Sequence, residues 1–557
     1  MAVDYPGSGL NEISAIGKQV IGPDYRLTRL KLFLHKALGT LPPVWREWVA
    51  EHFVRRTGAP GPAAEHVIQY LLSGAKSARR GGTVREATVA KGADNFYQSQ
   101  YRQQLNTTMG AFAMTATQVL VGAGRKSRGW LFGKHRQTTA ALIEQEHGNA
   151  PILVLNAETI AVPLWLPSIS TELESTEAKR WWSGKGPMPE AYRILMKGKS
   201  VSSAHSSVKA FERDAAGATL EVVDAVLENP RLALLALHPH DPDAMGLHIT
   251  LYGVELLEPN RLQLDYGLDI NVISAYEKAA QISGCTLLFA VGGTEEVFTQ
   301  CSQNLFVKRP VPHAAVPASS PVVWTPAQPL EDLLRLQFEL IQITVSASGL
   351  PGASPRNGDK GKAAFVCMHQ NKVHVLIPYH PGNYIHGHAA KLWSNPYGTL
   401  VISDDHASLC RVIISGASTT IGQQQVEKHF PKIAAEVAGQ RGRTGKPVPV
   451  PEYWFLQEVS QLVYQRERLS ANLLAPGRET CSISAGGQAR HNKKPAYFAA
   501  NNLPQYDSVV QHERELAGRP MDPTGVRSRA WQNAVAEDLA VRKAHLDQVV
   551  SEWSEGL

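Results

Sequence analysis

The chain has 557 residues, 43% of them hydrophobic and 19% charged, with a formal net charge of +6, and its mean hydropathy is -0.20. This globular composition excludes wholesale disorder and predicts two to four lobes at roughly 100–200 residues each. No apolar run approaches the ~18–20 residues that span a bilayer, so no membrane association is expected, and five widely spaced cysteines exclude a disulfide framework or a C-x-x-C site.

Met1–Leu10 lacks a charged-then-apolar signal layout, so an intracellular, non-secreted chain is expected. Leu27, Leu30, Leu34 and Leu38 share one side of a helix, and Trp45–Arg55 and Ala63–Leu72 keep the same period. Thr83–Val121 reads as a longer polar helix, followed by a basic, glycine-punctuated loop, Gly122–Arg136. Ile152–Leu166 is apolar and β-rich, enough for one or two strands. Helical signals return from Pro189 to about Leu237. Ile249–Leu257 and Cys285–Val291 fit strands or buried helical turns equally.

Val307–Pro329 is proline-rich and marks the clearest boundary. A helix is expected at Leu330–Ile343, a loop at Ser346–Lys362, and short strands at Ala363–Ile377, Leu400–Ser403 and Arg411–Ser415. Helices are expected at Gln423–Ala438, Tyr453–Ser470 and Val526–Trp553. Ala471–Pro504 has no sustained period, and no internal repeat is evident. The organisation is an N-terminal helical lobe (1–190), a helical body (191–306), a linker (307–329), an α+β histidine-rich insert (330–450) and C-terminal helices carrying a tail loop at 471–504. The expected fold is mainly α and two-lobed, head and body, with a small β-containing insert and that long tail loop.

No phosphate-loop, nucleophile-elbow or zinc-protease motif is present, so no enzyme, catalytic residue, metal or cofactor is expected. The densest polar cluster is His369, His374, His380, His386, His388, Asp404, Asp405, His406 and Cys410. Imidazoles with carboxylates suit a metal-dependent hydrolase or nuclease, but these spacings match no metal triad, and a structural role is the stronger reading. The basic segments say more. Arg79, Arg80, Arg125, Lys126, Arg128, Lys134, Arg136, Lys179, Arg180, Lys197 and Lys199 cluster in one half of the chain, with Trp130, Phe132, Trp181 and Trp182 among them. Cations neutralise phosphates and aromatics stack on unpaired bases, so this set predicts single-stranded RNA held without sequence preference.

Pro189–Tyr266 places a basic Lys-Gly-Lys turn before a helix, a loop and an acidic-started helix, and Gly477–Pro504 ends in Asn502-Leu503-Pro504 after Pro495 and Tyr497. These patches resemble the body and tail loop of orthomyxovirus (influenza-type) nucleoproteins. Cys285–Cys301 resembles, more weakly, that family's buried helix, whose carboxylate receives a neighbour's tail-loop arginine. Asn501 stands where that arginine belongs, with Arg490 as a stand-in. The resemblance implies a viral nucleoprotein that coats genomic RNA and partners the viral RNA polymerase in the virion, host nucleus and cytoplasm. It also implies a homo-oligomer formed by tail-loop exchange, with Arg490, Ile483, Tyr497 and Phe498 on the arm and Glu295 or Glu296 as receptor. A self-assembling capsid or scaffold protein is a further alternative.

Overall fold

The computed structural model describes residues 105, 107–126, 136–145, 147–237, 246–299, 309–310, 324–346, 349–358, 360–379, 387–403, 411–440, 447–448, 450–451, 453–465 and 473–474, with scattered residues of 532–551. Within these, strand exceeds helix, 43% against 33%. This corrects the expectation of a mainly α protein.

The first half runs α1 (Thr107–Met114), β1 (Gln118–Lys126), β2 (Arg136–Glu144), β3 (Leu153–Asn156), β4 (Thr159–Pro167), α2 (Glu172–Trp182), α3 (Glu190–Lys197), β5 (Lys199–Val201) and β6 (Lys209–Glu212). It continues through α4 (Ala215–Glu228), β7 (Arg231–Leu237), β8 (Leu247–Leu257), α5 (Pro259–Tyr266), α6 (Ile270–Ser283) and β9 (Cys285–Thr299). After β10 (Arg309–Pro310), the second half runs α7 (Leu330–Leu334), β11 (Glu339–Val345), β12 (Pro351–Asn357), β13 (Phe365–His369), β14 (Lys372–Tyr379), α8 (Gly387–Ser394), β15 (Tyr397–Ser403) and β16 (Arg411–Gly422). It ends with α9 (Gln423–His429), α10 (Pro431–Ala438), β17 (Tyr453–Glu458) and β18 (Gln461–Gln465), then β19 (Leu473–Leu474), which pairs with β10.

The two halves repeat one topology. The first sheet has the order β2-β1-β7-β8-β9-β4-β3, and the second β12-β11-β15-β16-β17-β14-β13. All these pairings are antiparallel. In each half a helix leads into the fifth strand and a helix pair joins the sixth to the seventh. The match reaches single residues. Asn229 N–H donates to Ala225 O and Asn395 N–H to Lys391 O, each at 2.8 Å. Both asparagines precede a proline, and both accept from a residue two places on: Arg231 N–H at 2.6 Å and Tyr397 N–H at 2.7 Å. Proline has no N–H and cannot continue the helix, so each Asn-Pro step ends a helix and starts a strand. The sequence shows no internal repeat, and the repeat lies in the topology alone.

Alternation along the strands explains the layers. In β7, Leu232, Leu234 and Ala236 enter the first half's core, while Ala233 and Leu235 enter a core shared between the halves. In β15, Leu400 and Ile402 enter the second half's core, and Val401 enters the shared one. Strands buried on both faces read as continuous apolar runs, so their period is hidden. In each half the paired helices cover the other face of the seventh strand, Tyr276 and Ile273 against Phe289, Val426 and Val437 against Trp454.

Other sequence expectations change for local reasons. The helix that starts at Leu330 stops at Leu334, and β11 begins at Glu339. Tyr453–Ser470, expected as helix, supplies β17 and β18. Cys285–Thr299, which the resemblance makes a buried helix bearing Glu295 and Glu296, is one 15-residue strand. Its Leu288 and Ala290 face one core, and Leu287, Phe289 and Val291 face another. From the first half, β6 crosses to pair in parallel with β18, tying the halves together a second time.

Candidate functional site

The shared core fixes which face of each strand points where. Ile341 and Ile343 of β11 turn to the first half, so Leu340, Gln342 and Thr344 turn into the second half-barrel. On β12, Gly352, Ser354 and Arg356 lie opposite Thr344, Gln342 and Leu340. Helix α8 covers this strip. Its Ala389 and Leu392 pack in the core, and His388 and Lys391 stand one turn apart. Both polar side chains are buried. Gly352 makes room for the second: a Cβ there would lie 3.2 Å from Lys391 Cε.

Polar groups line this strip. Arg356 Nε donates to Gln342 Oε1 at 2.9 Å, and its guanidinium carbon lies 4.9 Å from the Phe455 ring centroid and 5.7 Å from that of Tyr379. Tyr379 stacks on Tyr453 at 4.4 Å. Planar contact of this kind suits guanidinium. The same bond anchors the Gln342 amide by its oxygen. Its Nε2, in a residue with 0% exposure, has no hydrogen-bond partner. His388 Nδ1 sits 2.9 Å from Thr344 Oγ1. When that hydroxyl donates, the ring proton belongs to Nε2, a second donor nitrogen.

Electrostatics agree with this geometry. Burial pushes His388 well below the ordinary histidine value, and the nearby charges of Arg356, Lys391 and His248 push the same way. Burial also lowers Arg356, which stays charged because guanidinium starts so high. The strip is cationic and rich in donors.

The residues expected to bind RNA are placed differently. Arg79, Arg80, Arg128 and Lys134 lie outside the described residues, as do Arg490, Ile483, Tyr497 and Phe498. Lys126 and Arg136 end β1 and β2 opposite each other. Arg125 is engaged internally: it pairs with Asp224 and, at 3.8 Å, with Glu221. Arg213 Nη1 donates to Glu221 at 2.7 Å and to Met196 O at 3.1 Å. Burial raises Glu221, but the Arg213 and Arg125 guanidiniums outweigh it and hold the carboxyl below its ordinary value. Lys179 pairs with Glu258 at 2.7 Å. Arg180, Lys197 and Lys199 are exposed around α2, α3 and β5. Glu295 and Glu296 lie on β9, with Glu296 opposite Thr250.

The histidine-rich segment divides. His369 and His374 meet edge to face at 5.5 Å between ring centroids, and His429 joins them at 6.2 Å from His369. His388 belongs to the strip under α8. His380, His386, Asp404, Asp405, His406 and Cys410 lie outside the described residues. No group of three metal-ligating side chains forms among the described residues. Arg356, Gln342 and Lys391, which stand beside His388 in the structure, carry no motif in the sequence. Only the Asn395-Pro396 step, matching Asn229-Pro230, was there to point to them.

No family model and no curated protein matches the chain. Among solved structures, HupZ of Group A Streptococcus is similar at 11% identity over 24% of this chain and 92% of its own, with a TM-score of 0.17. HutZ, the heme storage protein of Vibrio cholerae, shows 16% identity over 27% of this chain and 92% of its own, TM-score 0.15. A pyridoxamine 5'-phosphate oxidase-related FMN-binding protein of Nostoc punctiforme shows 13% over 23% and 73%, TM-score 0.16. Likeness this slight assigns no ligand to this chain.

Proposed function

We propose that this chain binds a small molecule through an oxyanion, phosphate or carboxylate, held in the second half-barrel beneath α8. The observation that carries the reading is the Gln342 amide, buried with Nε2 unpartnered and anchored beside the Arg356 guanidinium. A buried donor left unmade costs about 1–3 kcal/mol, and a desolvated cation is stabilised by a counter-charge with good geometry. An oxyanion answers both needs, and charge-assisted bonds of this kind are the strong ones. The stacked Tyr379 and Tyr453 beside Arg356 offer a flat apolar wall for the rest of the ligand.

The test is calorimetric titration of the full chain with inorganic phosphate and, separately, with benzoate. Saturable binding of one of them, weakened at least about tenfold in Arg356→Leu, is expected. A chain that takes up neither anion overturns the reading. The two anions also separate a phosphate site from a carboxylate site.

A second reading, RNA coating by a self-assembling viral nucleoprotein that works with its polymerase, is favoured by one observation: Arg180, Lys197 and Lys199 are exposed together within 20 residues of chain. It predicts salt-dependent RNA binding that falls when all three are neutralised. Affinity that ignores those charges removes it.

A further inference from the structure

The repeated topology gives the oxyanion strip a counterpart in the first half, and its chemistry differs at the five positions that carry the strip's polar groups. The Asn-Pro anchors make Lys391 equivalent to Ala225, and one turn earlier His388 equivalent to Val222. The strand registers carry the match further. Arg231 and Tyr397 follow the two Asn-Pro steps, so Leu235 corresponds to Val401. Their partners across the sheet are Leu120 and Ile341, and the next strand pairs these with Leu142 and Pro355. Arg356 therefore corresponds to Ile143, Gln342 to Val121 and Thr344 to Ala123.

Those five positions are all apolar and buried in the first half, inside one hydrophobic core with α4 packed on it. The difference extends across the interface. His248 of the first half pairs in register with Leu235, as Ile413 does with Val401. His248 Nδ1 lies 2.9 Å from Ala353 O on β12, beside the strip, and its charge reaches His388. Ile413 faces the first half from the equivalent place and is buried in the shared core. The polar member of this pair therefore sits where it serves the polar strip, and the apolar member where there is none.

We propose that the chain binds one ligand per two half-barrels: the first half has filled its equivalent site with hydrocarbon and serves as the scaffold that completes the second. This rests on the oxyanion reading above. A merely structural polar cluster does not require a half-for-half exchange of cations for aliphatics that also includes the residue reaching across the interface. At these five positions, Val121, Ala123, Ile143, Val222 and Ala225, the first half offers no donor side chain, and Thr139, which corresponds to Gly352, is its one hydroxyl among the positions matched to Gly352, Ser354 and Arg356.

Equilibrium dialysis of the full chain against radiolabelled inorganic phosphate, with radiolabelled benzoate in parallel, counts the sites. One anion per chain is expected, unchanged in Ile143→Val and weakened at least about tenfold in both Arg356→Leu and Gln342→Leu. Circular dichroism confirms that each variant is folded. If Arg356→Leu fails to fold, Gln342→Leu carries the test. Two anions per chain, or one that persists in both second-half variants, overturns the single-site inference. No uptake of either anion overturns the oxyanion reading beneath it as well.

Discussion

Gly122 and Ile343 hold equivalent places in the two halves and face each other across the shared core. A Cβ on Gly122 would lie 2.9 Å from Ile343 Cγ2, and the next inward-facing pair repeats the arrangement, with Gly124 at 2.7 Å from Val345 Cγ1. An assembly of two identical halves would set like against like here, leaving either a gap or a clash. The duplicated chain instead sets the smallest residue against a branched one, a complement available only because the two copies differ.

Gly122→Ala should therefore overpack the shared core and cost about 1–3 kcal/mol. Urea unfolding measures it. Adding Ile343→Val should recover part of the loss, because residues in contact are coupled. If Gly122→Ala is neutral, the halves do not pack as described.

The paired Asn-Pro steps make a matched test. Asn229 Nδ2 donates to Gly349 O at 2.9 Å and Asn395 Nδ2 to Val345 O at 2.8 Å, both buried. Either asparagine changed to alanine strands a buried carbonyl, and each should lose about 1–3 kcal/mol by thermal or denaturant unfolding. No loss in either variant would mean that these two bonds contribute nothing to the fold.

How much of this was legible in the sequence depends on the kind of residue. Ile152–Leu166 is read as strand and forms β3 and β4, because β-branched residues and aliphatics mark a pleated surface. Leu232–Leu237 is apolar throughout and reads as the end of a helical stretch. Its alternation serves two cores at once, so no polar face shows the period of two. Ser346–Lys362 reads as a loop because it is rich in Gly, Ser and Pro. It forms β12, where Gly352 and Ala353 are small because Lys391 and the shared core press on opposite faces. The site itself is hidden for a related reason: Gln342, Arg356 and Lys391 come from three elements brought together only by the half-barrel.

His388 gives a pH prediction. Its value in the fold is depressed, by burial first and then by Arg356, Lys391 and His248. A depressed base contributes stability that is fully present above the ordinary histidine value, about 6.5, and is lost as pH falls toward the folded value. The urea midpoint should fall below about pH 6.5, and His388→Gln should flatten that slope. An oxyanion beside the ring raises its proton affinity, so sulfate, which does not titrate in this range, should bind more tightly at lower pH. Affinity independent of pH would place the anion elsewhere.

The Arg213–Glu221–Arg125–Asp224 network predicts a stability loss where the RNA reading predicts a binding loss. Glu221→Gln leaves Arg213, with 5% side-chain exposure, without its counter-charge. Breaking a buried pair costs about 3–5 kcal/mol, and the partial exposure of Glu221 puts this one at the lower end. Arg125→Ala should also lower the unfolding midpoint, without RNA in the sample. An unchanged midpoint in both variants would mean that the network contributes nothing to the fold.

The most direct measurement is an anomalous-scattering map from crystals of the full chain soaked in selenate, a tetrahedral oxyanion that can be located unambiguously. The account predicts a peak within hydrogen-bond reach of Gln342 Nε2 and the Arg356 guanidinium, and none between Ile143 and Val222. A peak at the first-half position, or selenate bound only elsewhere on the molecule, would contradict it.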